Sequence, residues 1–118
     1  MDPVAVARSL HDEIRAAADE AEQLRRLPSD LAVRLRDAGL FRLCVPAVYG
    51  GPECDPMTLV RTIATTAEAD GAAGWCVMIA STTSSMAAYL EPDWAQAMFG
   101  TSATCAAGAV APTGRADP

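Results

Sequence analysis

The sequence predicts an all-α fold: an up-and-down helical bundle of about five helices, with one short strand near the C-terminus. Three observations predict it. Apolar residues recur at steps of three and four along the N-terminal segment. Hydrophobic residues make up 51% of the 118-residue chain while aromatic ones make up 5%, so the core is built of small aliphatic side chains suited to close helix packing. Helix stops and starts at Pro28, Gly39, Asp55-Pro56, Gly71, Pro92 and Gly100 then divide the chain at helix-length intervals.

The first helix spans Pro3 to Leu27. Val4, Ala7, Leu10, Ile14, Ala17, Ala21 and Leu24 form its inner face, charged residues its outer face, and Arg25-Arg26 gather where the helix dipole favours cations. Pro28-Ser29-Asp30 restarts the chain, with Ser29 the expected N-cap of a helix from Asp30 to Ala38 that buries Leu31 and Leu35. Gly39 stops it in a conformation of positive φ. Leu40, Phe41, Leu43 and Val45 follow as an apolar strap closed by Pro46, and Tyr49-Gly50-Gly51-Pro52 makes a tight turn. These glycines lack nucleotide-loop spacing and no Lys-Ser or Lys-Thr pair follows, so the turn is structural.

Asp55 caps the third helix and Pro56 takes its first position. Leu59 and Ile63, with Thr66 or Ala67, form its inner face, and Glu68, Asp70 and Gly71 end it. Ala72 to Leu90 is apolar or small almost all round, which predicts a helix enclosed by protein. Glu91-Pro92-Asp93 starts a short fifth helix with Trp94, Met98 and Phe99 on its apolar side. The Ala-, Gly- and Thr-rich stretch from Thr101 to Pro118 reads as one strand and a turn. A lone strand leaves its backbone groups unpaired, so a second chain or a longer protein is expected to supply its partner.

Charge and composition exclude several functions. The net charge is −6, and all nine basic residues are arginines with no cluster, a poor match to nucleic acid. Ala72 to Leu90 is about long enough to span a membrane, but the hydroxyl run Ser81 to Ser85 lies in its middle and Asp70 and Glu91 bracket it. No signal peptide is evident. Cys44, Cys54, Cys76 and Cys105 have no CxxC spacing and His11 is remote from them, so neither a metal site nor a disulfide framework is expected. Free thiols in a reducing cytoplasm are the expectation.

Leu27-Pro28 followed by Leu31, Ala38 to Leu43, Val45-Pro46, Tyr49-Gly50-Gly51, Asp55-Pro56, Ala69-Asp70-Gly71, Ala73-Gly74-Trp75, Phe99-Gly100 and Gly108 to Ala116 together resemble the acyl-CoA dehydrogenase superfamily. The resemblance covers nearly the whole chain but only that family's first domain. It implies an N-terminal helical domain at 1–100 and, at 101–118, the first strand and turn of a middle β-domain. The turn Ala111-Pro112-Thr113-Gly114-Arg115 and the step Asp70-Gly71-x-x-Gly74-Trp75 are closer to the flavin-dependent monooxygenases related to 4-hydroxyphenylacetate hydroxylase than to the dehydrogenases.

Either branch implies FAD, or reduced FMN, held where three domains meet, a small organic or acyl-CoA substrate, and a homo-oligomer. The dehydrogenase base belongs to a C-terminal domain, and a monooxygenase needs a dry pocket for oxygen chemistry at the flavin. No catalytic residue is therefore assigned here, and these 118 residues are not expected to be competent alone. The central helix lacks the histidine that often assists in such pockets. By resemblance, Pro112, Thr113 and Gly114 approach the flavin, while Trp75, Ser81, Thr82, Ser84 and Ser85 line the substrate pocket. Ordinary core packing of Trp75 and hydrogen bonding of each hydroxyl to its own helix are the structural alternatives. The functional alternative is a stand-alone, non-catalytic helical module that binds another protein.

Overall fold

A computed structural model describes residues 1–109, 111 and 113–117. Among them the regular structure is entirely helical: α1 (Pro3–Ser9), α2 (His11–Ala16), α3 (Ala18–Leu24), α4 (Ser29–Asp37), α5 (Pro56–Ala69), α6 (Gly71–Ser84) and α7 (Pro92–Phe99). Two 3₁₀ turns, Ala47–Tyr49 and Ser85–Tyr89, complete it. The all-α expectation holds. The described part of the stretch expected as a strand carries no strand assignment, and Val110 lies outside the described residues.

The expected first helix is a rod in three pieces. At Leu10 the amide reaches both Val6 O (3.3 Å) and Ala7 O (3.2 Å), and at Ala17 it reaches both Glu13 O (3.3 Å) and Ile14 O (3.2 Å). Shared bonds of this kind tighten a helix locally. Its buried stripe, Ala7, Leu10, Ile14 and Ala21, follows a spacing near 3.5, slightly shorter than the ideal helical turn. The two tightenings take up that mismatch. The rod ends at Leu24, short of the expected Leu27, because Arg25 turns left-handed with φ 53°.

Pro28 occupies the N-cap position of α4, so Ser29 lies inside the first turn and makes no capping bond. The C-terminal end follows expectation: Gly39 has φ +77°, and its amide and that of Leu40 bond to Arg36 O and Leu35 O. Asp55 caps α5 by accepting from the amides of Met57 (3.0 Å) and Thr58 (3.1 Å). On α5 the buried residues are Thr62, Thr65, Thr66 and Ala69, while Leu59 and Ile63 pack half-buried at the margin and Ala67 is exposed. Asp70, extended at φ −156°, breaks the chain and caps α6 through the amide of Ala73 (2.8 Å).

The main core joins the rod, α4, the strap and the α5–α6 pair: Leu10, Ile14, Leu35, Leu40, Phe41, Leu43, Ala73 and Val77 meet there. Gly74 sets the closest approach of α5 and α6, since a Cβ added to it would stand 2.6 Å from the Cβ of Ala67. A second, smaller core of Val45, Ala87 and Phe99 ties the strap to α7. Buried Arg42 secures the same junction, donating to Phe99 O (2.8 Å), Tyr49 O (3.4 Å) and Thr101 O.

Candidate functional site: a groove along α6

α6 is apolar on nearly every side, as its sequence requires, but only one of its faces is buried within this chain. The expectation of a fully enclosed helix is corrected: Trp75 is 62% exposed, and Met86, Tyr89 and Leu90 beyond α6 are also exposed. Apolarity on the second face records a surface rather than a contact inside these residues. Trp94 is likewise 68% exposed, because α7 begins at Pro92 and turns Ala95 and Phe99, four residues apart, inward.

The segment from Thr101 to Ala109 runs beside this open face. It is fixed by the Arg42 bond to Thr101 O and by the Thr104 hydroxyl donating to Met98 O (2.7 Å). Small residues let it pass close to the helix: a Cβ at Gly108 would stand 2.6 Å from Thr83 Oγ1. Two cavities result, and Cys105, Ala106 and Ala107 line both. One, of about 460 Å³, is bounded by Leu27, Phe41, Trp75, Cys76 and Ile79 with Arg25 and Arg26. The other, of about 360 Å³, is bounded by Thr83, Met86, Leu90, Met98 and Phe99.

The structure separates the hydroxyls singled out by sequence. Ser81 is buried and donates to Leu40 O (2.9 Å), fastening α6 to the strap. Thr82 donates to Met78 O (2.7 Å), Ser84 to Ser81 O (2.6 Å) and Ser85 to Thr82 O (2.7 Å). Trp75 lines the larger cavity; Ser81, Thr82, Ser84 and Ser85 line neither. The hydroxyl that reaches the groove is that of Thr83, half-buried and without a hydrogen-bond partner among the described residues. Helical spacing carries the signal for it: Cys76, Ile79, Thr83 and Met86 share one face at steps of three and four.

All four thiols are free. Burial pushes the Cys76 thiol up, helped by the neighbouring Cys105 and Asp70, and burial also raises Cys105. Those two thiols are therefore uncharged at neutral pH. Of the residues expected at a flavin, Pro112 lies outside the described residues, and Thr113 and Gly114 are exposed. The Thr113 amide donates to Ala111 O (2.9 Å). Gly114 offers a bare backbone edge with nothing near its Cα substituent position, and neither residue lines the two cavities. That edge is open to solvent and encloses no cavity.

Residues 4–109 match the family described as acyl-CoA dehydrogenase, N-terminal domain. The chain belongs to that family. The resemblance carried by the Gly39–Gly51 strap and its flanking motifs is borne out, and this acyl-CoA dehydrogenase N-terminal domain has relatives on the monooxygenase side. It is 39% identical over 62 residues to the oxygenase subunit HsaA of a flavin-dependent monooxygenase of Rhodococcus jostii, covering 52% of this chain and 16% of that protein. It is 38% identical over 72 residues to the corresponding subunit of Mycobacterium tuberculosis, covering 61% and 18%. It is 40% identical over 73 residues to a dibenzothiophene monooxygenase of Rhodococcus erythropolis, covering 62% and 18%. The matched part is thus less than a fifth of these relatives' length. Among the described residues, no helix is long and apolar enough to cross a membrane.

Proposed function

We propose that this helical domain supplies one wall of the substrate pocket in a flavin-dependent monooxygenase, with the flavin of the complete enzyme beyond the open edge at Thr113 and Gly114. In this reading residues 1–100 form the helical unit and 101–118 lead toward the flavin side. The observation that carries it is the groove at Thr83: a half-buried hydroxyl without a hydrogen-bond partner among the described residues, set among Met86, Leu90, Met98 and Phe99. A few polar groups in an apolar hollow are what orient a small organic substrate. The raised thiol of Cys105 adds no charge to this wall, and the apolar side chains around it help keep water from oxygen chemistry at the flavin. The flavin is FAD or FMN, and the domain supplies it with position and dryness rather than with an acid or base.

The exposed apolar side chains Met86, Tyr89, Trp94 and Met98 favour one second reading, a helical module that docks on another protein without chemistry. Purification with added FAD and with added FMN separates the two. Flavin retained by the chain, together with a small aromatic substrate whose binding is lost when Thr83→Trp fills the groove, supports the enzyme reading. A colourless chain that instead captures a partner protein through α6 and α7, undisturbed by Thr83→Trp, overturns it.

A further inference from the structure

The larger cavity has a polarity that the Thr83 groove does not share. Its walls are Leu27, Ala32 and Phe41 on one side, Trp75, Cys76, Ile79 and Ala80 on α6, and Cys105 to Ala107 along the third. Among the described residues, the only charged ones lining it are Arg25 and Arg26. Neither makes an ion pair among the described residues. A neighbouring hollow of about 570 Å³ shares Arg25, Arg26, Leu27, Trp75 and Cys76 but is also lined by Asp19, Glu22 and Asp70. The two arginines therefore stand between an acidic side and an apolar side. The carboxylates disfavour an anion on the first side, whereas on the second the two exposed arginines are the charged residues among the described lining.

Arg25 adds a backbone argument. It holds φ 53° at the end of α3, a position where glycine is the conformationally favoured residue. A non-glycine residue held there is uncommon and carries some backbone strain. Local helix-end bonds, with the Arg26 amide reaching Ala21 O (3.3 Å), fix the turn and so fix where both side chains leave the chain.

We infer that the 460 Å³ cavity binds a small amphiphilic carboxylate, with its anionic head held by Arg25 and Arg26 and its hydrocarbon body against Phe41, Trp75 and Ile79. The guanidinium fork matches a carboxylate, and the apolar walls take the body out of water. This site shares the Cys105–Ala107 wall with the Thr83 groove but takes Trp75, Cys76, Ile79 and Ala80 from the preceding two turns of α6, and binding there needs no flavin, so it is tested apart from the proposed function.

Octanoate is the probe, and Trp75 is the reporter. The chain has two tryptophans, so Trp94→Phe, at an exposed position, leaves Trp75 as the sole tryptophan, excited selectively over the tyrosines. Titration of that variant with sodium octanoate is expected to give a saturable change in emission. Octanol, which keeps the body but not the charge, is expected to bind at least about tenfold more weakly, the loss of a charge-assisted hydrogen bond. Arg25→Gly and Arg26→Ala are each expected to weaken octanoate by a similar factor, and the pair together to abolish saturation. Arg25→Gly also relaxes the strained backbone, so its weaker binding is expected alongside unchanged or higher resistance to urea, which separates lost binding from lost folding. Arg34→Ala, outside the cavity, is expected to leave binding unchanged. A linear, non-saturating response, equal affinity for octanol, or undiminished binding by the double variant overturns the inference.

Discussion

Arg42→Met is the most direct perturbation of the junction on which the groove depends. Arg42 is 5% exposed, and its guanidinium donates to the carbonyls of Phe99 at 2.8 Å, Tyr49 at 3.4 Å and Thr101. Burial pulls its pKa below the ordinary value, a sign that holding the cation there is costly, yet it remains charged. Methionine removes that cost and refills much of the apolar stem's volume. It also strands the carbonyls at the end of α7. Thr101 is exposed and water can replace the donor there; Phe99 is buried and its carbonyl loses its side-chain donor. One buried carbonyl left unpaired costs about 1–3 kcal/mol. Losing the cation from a helix C-terminus adds about 0.5–1 kcal/mol. The net expectation is a loss of about 3 kcal/mol, read as a fall of about 2 M in the urea midpoint if the unfolding slope is about 1.5 kcal/mol per molar. Arg42→Lys keeps the charge but not the fork, and is expected to lose about half as much. A loss below about 1 kcal/mol for methionine, or equal losses for methionine and lysine, would refute the claim that carbonyl satisfaction ties the strap to α7.

Gly51→Ala drives a Cβ into the carbonyl and side chain of buried Val45 and is expected to cost about 2–3 kcal/mol, whereas Gly39→Ala meets no neighbour and bears only its left-handed strain, about 1 kcal/mol; chemical denaturation of the two side by side checks the order. Hydrogen bonds from the Thr58 hydroxyl and the Thr58 and Met57 amides hold the Asp55 carboxyl below its ordinary value of 3.8. Its stabilisation is therefore present above that pH and is lost as pH falls through the lower folded-state value. Asp55→Asn should flatten that part of an acid-unfolding curve followed by circular dichroism. Gly108→Ala is expected to lift residues 105–108 from α6 and speed modification of Cys76 by a thiol reagent. Thr83→Ala in the same chain should restore the slow rate by removing Oγ1 from the clash.

What the sequence revealed and what it concealed divide along physical lines. Gly39, Asp55-Pro56 and Asp70 were legible because capping and positive φ are local requirements that a few adjacent residues must meet. The pieces of the rod were not, because the tightenings at Leu10 and Ala17 answer to how a buried stripe seats on α5, and no single residue announces that. Trp75 was expected on a helix enclosed by protein and Trp94 on the apolar side of the fifth helix, but hydrophobicity records affinity for apolar surroundings without saying which chain provides them. The hydroxyl run carries the same lesson at finer grain. Five adjacent hydroxyls look equivalent in sequence, yet a helix sends them to different faces, and three of them return to carbonyls of their own helix. Ser81 crosses to Leu40 and becomes a tether between α6 and the strap. Thr83 is the one left facing the groove, because Gly108 lets the last segment pass close enough to make that groove without covering the hydroxyl. The functional candidate thus arises from a contact between residues 25 positions apart, where a glycine's missing side chain matters as much as the hydroxyl it approaches.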